Sequence, residues 1–223
     1  MLCAGVATLP VRTLTEDGYE SQFAVNHLAH FALIEGMRPS FRDKTRVVVV
    51  SSDVHRTGGT ALDVDNLQGD HGAYHWFSSY IASKYCNVLF ARELATRGLE
   101  AVSCSPGTTD TPIDRNLSPL MRFAFRYCGP GLMAQTVGEG ASCVAHCMVS
   151  EDLLPGAFYV DCQQQLVQGP EVQGKLWDES ERLVRAAASR PAGGGAAAAV
   201  AAAGDGGPED ASAALLPKAG GCP

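Results

Sequence analysis

The run RVVVVSS at residues 46–52 narrows the folds open to this chain more than any other stretch. Four consecutive valines leave no alternate polar positions and no helical stripe, so the segment reads as a strand apolar on both faces. Strands of that kind belong to parallel sheets covered by helices on two sides. Two more short strands fit the same sheet: LEAVSCSP (99–106), stopped by Pro106-Gly107, and GAFYVDC (156–162). MLCAG at the start reads as the end of a fourth, turning at Gly5. Between them, roughly 16–38, 77–97, 135–149 and 171–188 carry apolar residues at helical i, i+3, i+4 spacing. This alternation predicts an α/β architecture with a doubly wound parallel sheet. Functional residues then gather at the carboxyl ends of the strands: Gly5, Ser51–Ser52 and Pro106–Thr111.

Residues 1–190 read as one domain of this kind. Residues 191–223 differ, since 24 of these 33 are Ala, Gly or Pro and none is aromatic. So little bulky apolar surface does not offset the entropy of ordering a chain, and the segment is expected to be a disordered tail. A net charge of −7 disfavours nucleic acid as a partner. The eight cysteines are scattered singly through apolar segments without a C-x-x-C pair, which predicts free thiols in a reducing, intracellular compartment. Cys143, His146 and Cys147 lie close together, but no second pair completes a four-ligand zinc set, so no metal is expected. No apolar run reaches the roughly 18–20 residues of a membrane span.

SSYIASKYCNVLF (78–90) carries a candidate chemistry. A spacing of four puts Tyr80 and Lys84 on one helix face, one turn apart. They are either two amphipathic side chains on the rim of a buried helix or an ammonium that lowers the pKa of a phenol. Ser52 ends the valine strand, and Asn26 lies within the helix before it.

With these residues in place the chain resembles the short-chain dehydrogenase/reductase family. LCAGV resembles the family's N-N-A-G turn, VNHLAHF its asparagine segment and VVVVSS its serine strand. YIASK matches Y-x-x-x-K and SPGTTDT the P-G-x-x-x-T loop, all in the family's order. LDVDNLQG, SKYCNVLFARELATR, GAFYVDC and KLWDESERLV narrow the likeness to retinol-dehydrogenase-like and WW-domain-oxidoreductase-like members. The resemblance implies a Rossmann-like sheet and hydride exchange between NAD or NADP, with NADP favoured, and a lipophilic alcohol or carbonyl of retinoid or steroid type. It implies Tyr80 as proton donor or acceptor, Lys84 as its charge partner and ribose holder, Ser52 as hydrogen-bond donor to the substrate oxygen, and Asn26 as anchor of a proton relay. Ala4, Gly5, Pro106, Gly107 and Thr111 would join Tyr80 and Lys84 in binding the cofactor.

His27 and His30 read as core or helix-contact residues, and His55, His71 and His75 as lining the pocket mouth or facing water. LSPLMRFAFRYCGPGLMA (117–134) falls where the family places its substrate lid; it is read equally as a helix covering core, and its apolar face with Arg122 and Arg126 suits contact with a membrane surface. The family's opening strand and T-G-x-x-x-G-x-G phosphate turn have no match anywhere in the chain. The sheet is therefore expected to lack its first three strands, as in a fragment or a short isoform. Two other functions stand beside the oxidoreductase: a non-catalytic remnant that binds a protein partner, such as a full-length relative, through its exposed edge strand or long helices, and a Ser/His hydrolase, which the lack of a G-x-S-x-G elbow disfavours. A homodimer through the long helices is a further expectation.

Overall fold

In the computed structural model the described residues are 1–56, 62–127, 134–167 and 172–189. The 191–223 tail lies outside them. The valine run becomes β1 (Arg46–Val50), followed by β2 (Glu100–Ser105), β3 (Phe158–Val160) and β4 (Gln163–Gln165). They form one sheet in the order β1-β2-β3-β4. β1 and β2 are parallel with Val47 opposite Ala101, and β2 and β3 are parallel with Ser103 opposite Phe158.

The reason four valines suit this place is visible in their neighbours. Val47 and Val49 pack with Phe31, Phe90, Leu94 and Trp177 on one side. Val48 and Val50 pack with Val102, Cys104, Cys143, Cys147 and Tyr159 on the other. All four are at most 5% exposed. Four consecutive apolar side chains are thus buried alternately on two faces.

Among the described residues there are five helices, four of which (all but the third) supply those faces. α1 occupies residues 21–37, α-helical at Ser21–Phe23, π-helical over Ala24–Leu28 and α-helical again over Ala29–Met37. α2 is Trp76–Thr96, α3 Pro119–Tyr127, α4 Val137–Val149 and α5 Gln173–Ala188. α2 lies against β1 and β2, α4 covers the opposite face, and α5 packs on α2 and α1. α5 seats Trp177 against Phe31 at 4.7 Å between ring centroids, with the Arg97 guanidinium 3.9 Å over its indole.

Three elements differ from the sequence expectation. MLCAG contributes a single parallel bridge, Leu2 to Val49, because only Leu2 exchanges backbone hydrogen bonds with β1, through Val48 O and Val50 N at 2.8 Å each. α1 begins at Ser21, where the buried Glu20 carboxylate accepts from Gln22 N at 3.0 Å and Phe23 N at 2.7 Å. β4 was not expected at all. Its Gln163-Gln164-Gln165 has no strand signal, and it pairs antiparallel with β3 because the Asp161–Cys162 turn, with φ of 50° and 61°, folds the chain back.

Candidate active site

α2 carries Tyr80 and Lys84 to the carboxyl end of β1. The Lys84 ammonium stands 5.8 Å from the centroid of the Tyr80 ring. The Ser52 hydroxyl acts on the Tyr80 phenol from the end of β1, favouring its ionised form. Two buried bonds hold β1 and α2 in that relation: Ser51 Oγ donates to Lys84 O at 2.6 Å, and Asn87 Nδ2 donates to Val50 O at 3.2 Å. The 27 residues between Ser52 and Tyr80 are therefore bridged by direct bonds from the end of β1 to α2.

Asn26 approaches from the π-helical turn of α1, a widening often found at functional sites. It is fully buried and clamps the backbone of Val6, accepting from Val6 N at 2.7 Å and donating to Val6 O at 3.0 Å. Its Nδ2 also donates to Ser83 Oγ at 2.9 Å, and Ser83 Oγ donates to Tyr80 O at 2.8 Å. Asn26 thus fixes the turn at Ala4–Gly5 relative to the tyrosine helix. A Cβ on Gly5 would sit 3.4 Å from both Asn26 Oδ1 and Lys84 Nζ, so glycine keeps the space before the ammonium open.

The loop after β2 closes the other side. Ser105 Oγ donates to Asp53 Oδ1 at 3.2 Å and accepts from Asp53 N and Gly107 N at 3.1 Å each, joining the serine and Pro-Gly loops. Gln135 Nε2 donates to Pro106 O at 2.7 Å. Farther along, Asn116 Nδ2 donates to Ala7 O at 3.0 Å, and Thr8 Oγ1 donates to Ile113 O at 3.1 Å. Gly5, Ser52, Tyr80, Lys84, Asn26 and the Pro106–Gly107 loop therefore frame one site. Thr111 Oγ1 donates to Thr109 O at 3.5 Å.

Burial dominates the electrostatics. It pushes the Tyr80 phenol up to about 12; the Ser52 hydroxyl opposes this and the Asp53 carboxylate adds to it. The expected lowering of the phenol by Lys84 is thus not realised in the free chain. Burial lowers Lys84 itself to about 8. Among the described residues no carboxylate pairs with this lysine, which is 5% exposed.

Of the histidines, only His55 departs from expectation. His27 is a core residue, stacked on Phe23 at 5.4 Å with its Nε2 2.9 Å from Ser180 Oγ, and burial lowers it to about 3. His30 is buried next to the site; burial and then the Lys84 charge lower it to about 4. His55 does not line a pocket mouth: it is buried, its ring parallel to Tyr85 at 5.4 Å and its Nδ1 2.6 Å from Ser52 O. His71 and His75 are exposed. Ser83, Asn87, Ser105 and Gln135 went unnoticed in the sequence because their partners are backbone atoms and small polar groups far along the chain.

α3 is not a core cover. Leu120, Phe123 and Tyr127 are exposed, and Leu117 just before it is the buried anchor. Arg122 reaches back to the buried Asp114 at 3.7 Å. Among the described residues no helix is long and apolar enough to cross a membrane.

No protein-family model matches the chain. Among curated proteins it is 34% identical over 200 residues to the WW domain-containing oxidoreductase of Drosophila melanogaster, covering 82% of this chain and 47% of that protein. It is 34% identical over 193 residues to retinol dehydrogenase 12 of Bos taurus, covering 81% and 59%. Among solved structures, an uncharacterized protein from Mycobacterium Paratuberculosis aligns with a TM-score of 0.60 at 27% identity, covering 81% of this chain and 64% of that one. The chain spans about half to three-fifths of the length of these curated relatives.

Proposed function

The chain belongs to the short-chain dehydrogenase/reductase family, and from that premise we propose that its site carries out nicotinamide-dependent oxidoreduction of a lipophilic alcohol or carbonyl. The observation that carries this reading is the buried Lys84 ammonium, without a carboxylate partner among the described residues, beside the Tyr80 phenol near the Ser52 end of β1. A purely structural lysine would be paired or at the surface.

The residues fit a nicotinamide nucleotide. The space that a Gly5 Cβ would fill opens onto Lys84 Nζ, whose donors are available for ribose hydroxyls. The Pro106–Gly107 loop, with Gly107 at φ +69°, presents backbone groups for a carboxamide. When bound, such a cofactor supplies or accepts the hydride. Tyr80, raised to about 12, holds its proton at neutral pH and is set to donate it to a substrate oxygen during carbonyl reduction. Ser52 donates a hydrogen bond to the same oxygen, where charge develops. Asn26 positions the tyrosine helix through the Ser83 bridge to Tyr80 O and the Ala4–Gly5 turn through its hold on Val6. In the alcohol-oxidising direction the phenol needs added positive charge close by to release its proton.

The exposed apolar residues of α3 support a lipophilic substrate, or contact with a membrane surface, next to the loop that frames the site. The retinol dehydrogenase names of its relatives agree with a retinoid-like substrate. The free thiols at Cys3, Cys86, Cys104, Cys143, Cys147 and Cys162 support a reducing compartment. A test is reduction of all-trans-retinal followed with NADPH and with NADH. Turnover with either cofactor is expected, and Lys84→Met should weaken cofactor binding. Absence of both binding and turnover with the two cofactors contradicts the reading.

A further inference from the structure

Away from the Tyr80 site, four cysteines form a line from the surface into the core. Cys162 is exposed in the β3–β4 turn, whereas Cys143 and Cys147 on α4 and Cys104 on β2 are buried. Cys104, Cys143 and Cys147 pack in one buried cluster, and the Cys162 N–H donates to Cys143 Sγ. They are not arranged as a metal site among the described residues.

The position of Cys162 is unusual for a cysteine. Asp161 and Cys162 both have positive φ, 50° and 61°, the pattern of a tight hairpin turn that ordinarily takes Asn-Gly. A non-glycine residue there costs about 1 kcal/mol or more. The strained backbone turns the Cys162 N–H toward Cys143 Sγ, a hydrogen bond of 3.4 Å. An amide that close to the sulfur sets the two cysteines side by side, and a disulfide between them needs Cα atoms about 4.4–6.8 Å apart. Exposed and buried thiols thus stand in the order of an attacking and a resolving cysteine.

We propose that Cys162 and Cys143 form a redox-modification site whose oxidant is a small-molecule disulfide of the glutathione type. The Cys162 thiolate attacks one sulfur of the oxidant, whose S–S bond breaks and releases one small thiolate. The Cys143 thiolate then attacks the Cys162 sulfur, closing the protein disulfide and releasing the second small thiolate. The two protons lost by the cysteines end on the two released thiols. Two protein thiols are oxidised and one small disulfide is reduced.

The bond would act near the cofactor loop. Val160 is paired with Ser105, so the Cys162 turn lies just beyond the strand ends that lead into Pro106. Gly140, one turn before Cys143, packs so closely that a Cβ there would lie 2.3 Å from Thr109 Oγ1 and 3.2 Å from Pro106 O. A Cys143–Cys162 disulfide therefore ties the hairpin to the helix that supports this loop.

The test is to incubate the full chain, folded, with glutathione disulfide, block remaining thiols with iodoacetamide and map the peptides without reduction. The expected product is one cross-linked pair of Cys143 and Cys162 peptides, with both thiols lost and both restored by dithiothreitol. Cys162→Ser, a change at an exposed position, should leave Cys143 a free thiol. Cys143→Ala should leave the glutathione adduct trapped on Cys162. A stable adduct on wild-type Cys162 with Cys143 still free overturns the proposal. So does unmodified Cys162 while another cysteine takes the oxidant.

Discussion

Lys84, proposed to hold the cofactor, works against the fold that buries it. Burial lowers it from 10.5 to about 8, so the folded state releases its proton more readily than the unfolded chain. Between those values the unfolded chain binds more protons, and stability rises with pH over roughly 8 to 10.5. At neutral pH the buried charge costs about 3 kcal/mol. Lys84→Met should therefore raise stability at pH 7 by a large part of that amount while losing cofactor affinity, as urea unfolding alongside a binding titration would show. Unchanged or lower stability in that variant would contradict the account. His30 acts on the acid side. The unfolded histidine takes a proton below its ordinary 6.5, while the folded one resists until about 4, so stability falls as pH drops through that window. His30→Leu should flatten the acid limb by about one proton, about 1.4 kcal/mol per pH unit, in a series of urea midpoints from pH 7 to pH 4. Residues of this class were only partly legible. Tyr80, Lys84, Ser52 and Asn26 stood out by type and order, whereas the environment that raises the Tyr80 pKa is made by packing and could not be read from spacing.

Elements were legible where periodicity was strong. The valine strand and the long α2 fell where the pattern put them, because burial on two faces and a helical stripe leave unambiguous marks. The LCAGV strand shrank to the Leu2 bridge, since pairing depends on a neighbour and not on the segment itself. β4 was invisible because a turn with two positive φ angles makes it, using Asp and Cys in place of the usual Asn-Gly. α4 gives an element-scale prediction whose sign runs against propensity. Gly→Ala inside an exposed helix normally gains about 1 kcal/mol. At Gly140 a Cβ would lie 2.3 Å from Thr109 Oγ1 and 3.2 Å from Pro106 O. Gly140→Ala should lower stability by about 1–3 kcal/mol and perturb the Pro106 loop, seen as a fall in the thermal midpoint together with weaker cofactor binding. A rise in midpoint would show that the loop yields without cost.

At the scale of the whole molecule, one sheet and two helical layers bring five separate stretches of chain to the ends of β1 and β2. α5 locks the layer on which the site rests, with Trp177 buried between Phe31, Phe90 and the Arg97 guanidinium. Trp177→Ala should cost about 3–5 kcal/mol, measured by denaturant unfolding, without removing any group from the site. The central claim is that Tyr80 is the proton donor of a site otherwise complete in Ser52, Asn26 and Lys84. The most direct measurement is the turnover of Tyr80→Phe against the unsubstituted chain, with NADPH binding titrated in parallel. The account predicts turnover lower by roughly 10²–10⁴-fold with binding nearly unchanged. Turnover preserved in Tyr80→Phe would contradict it.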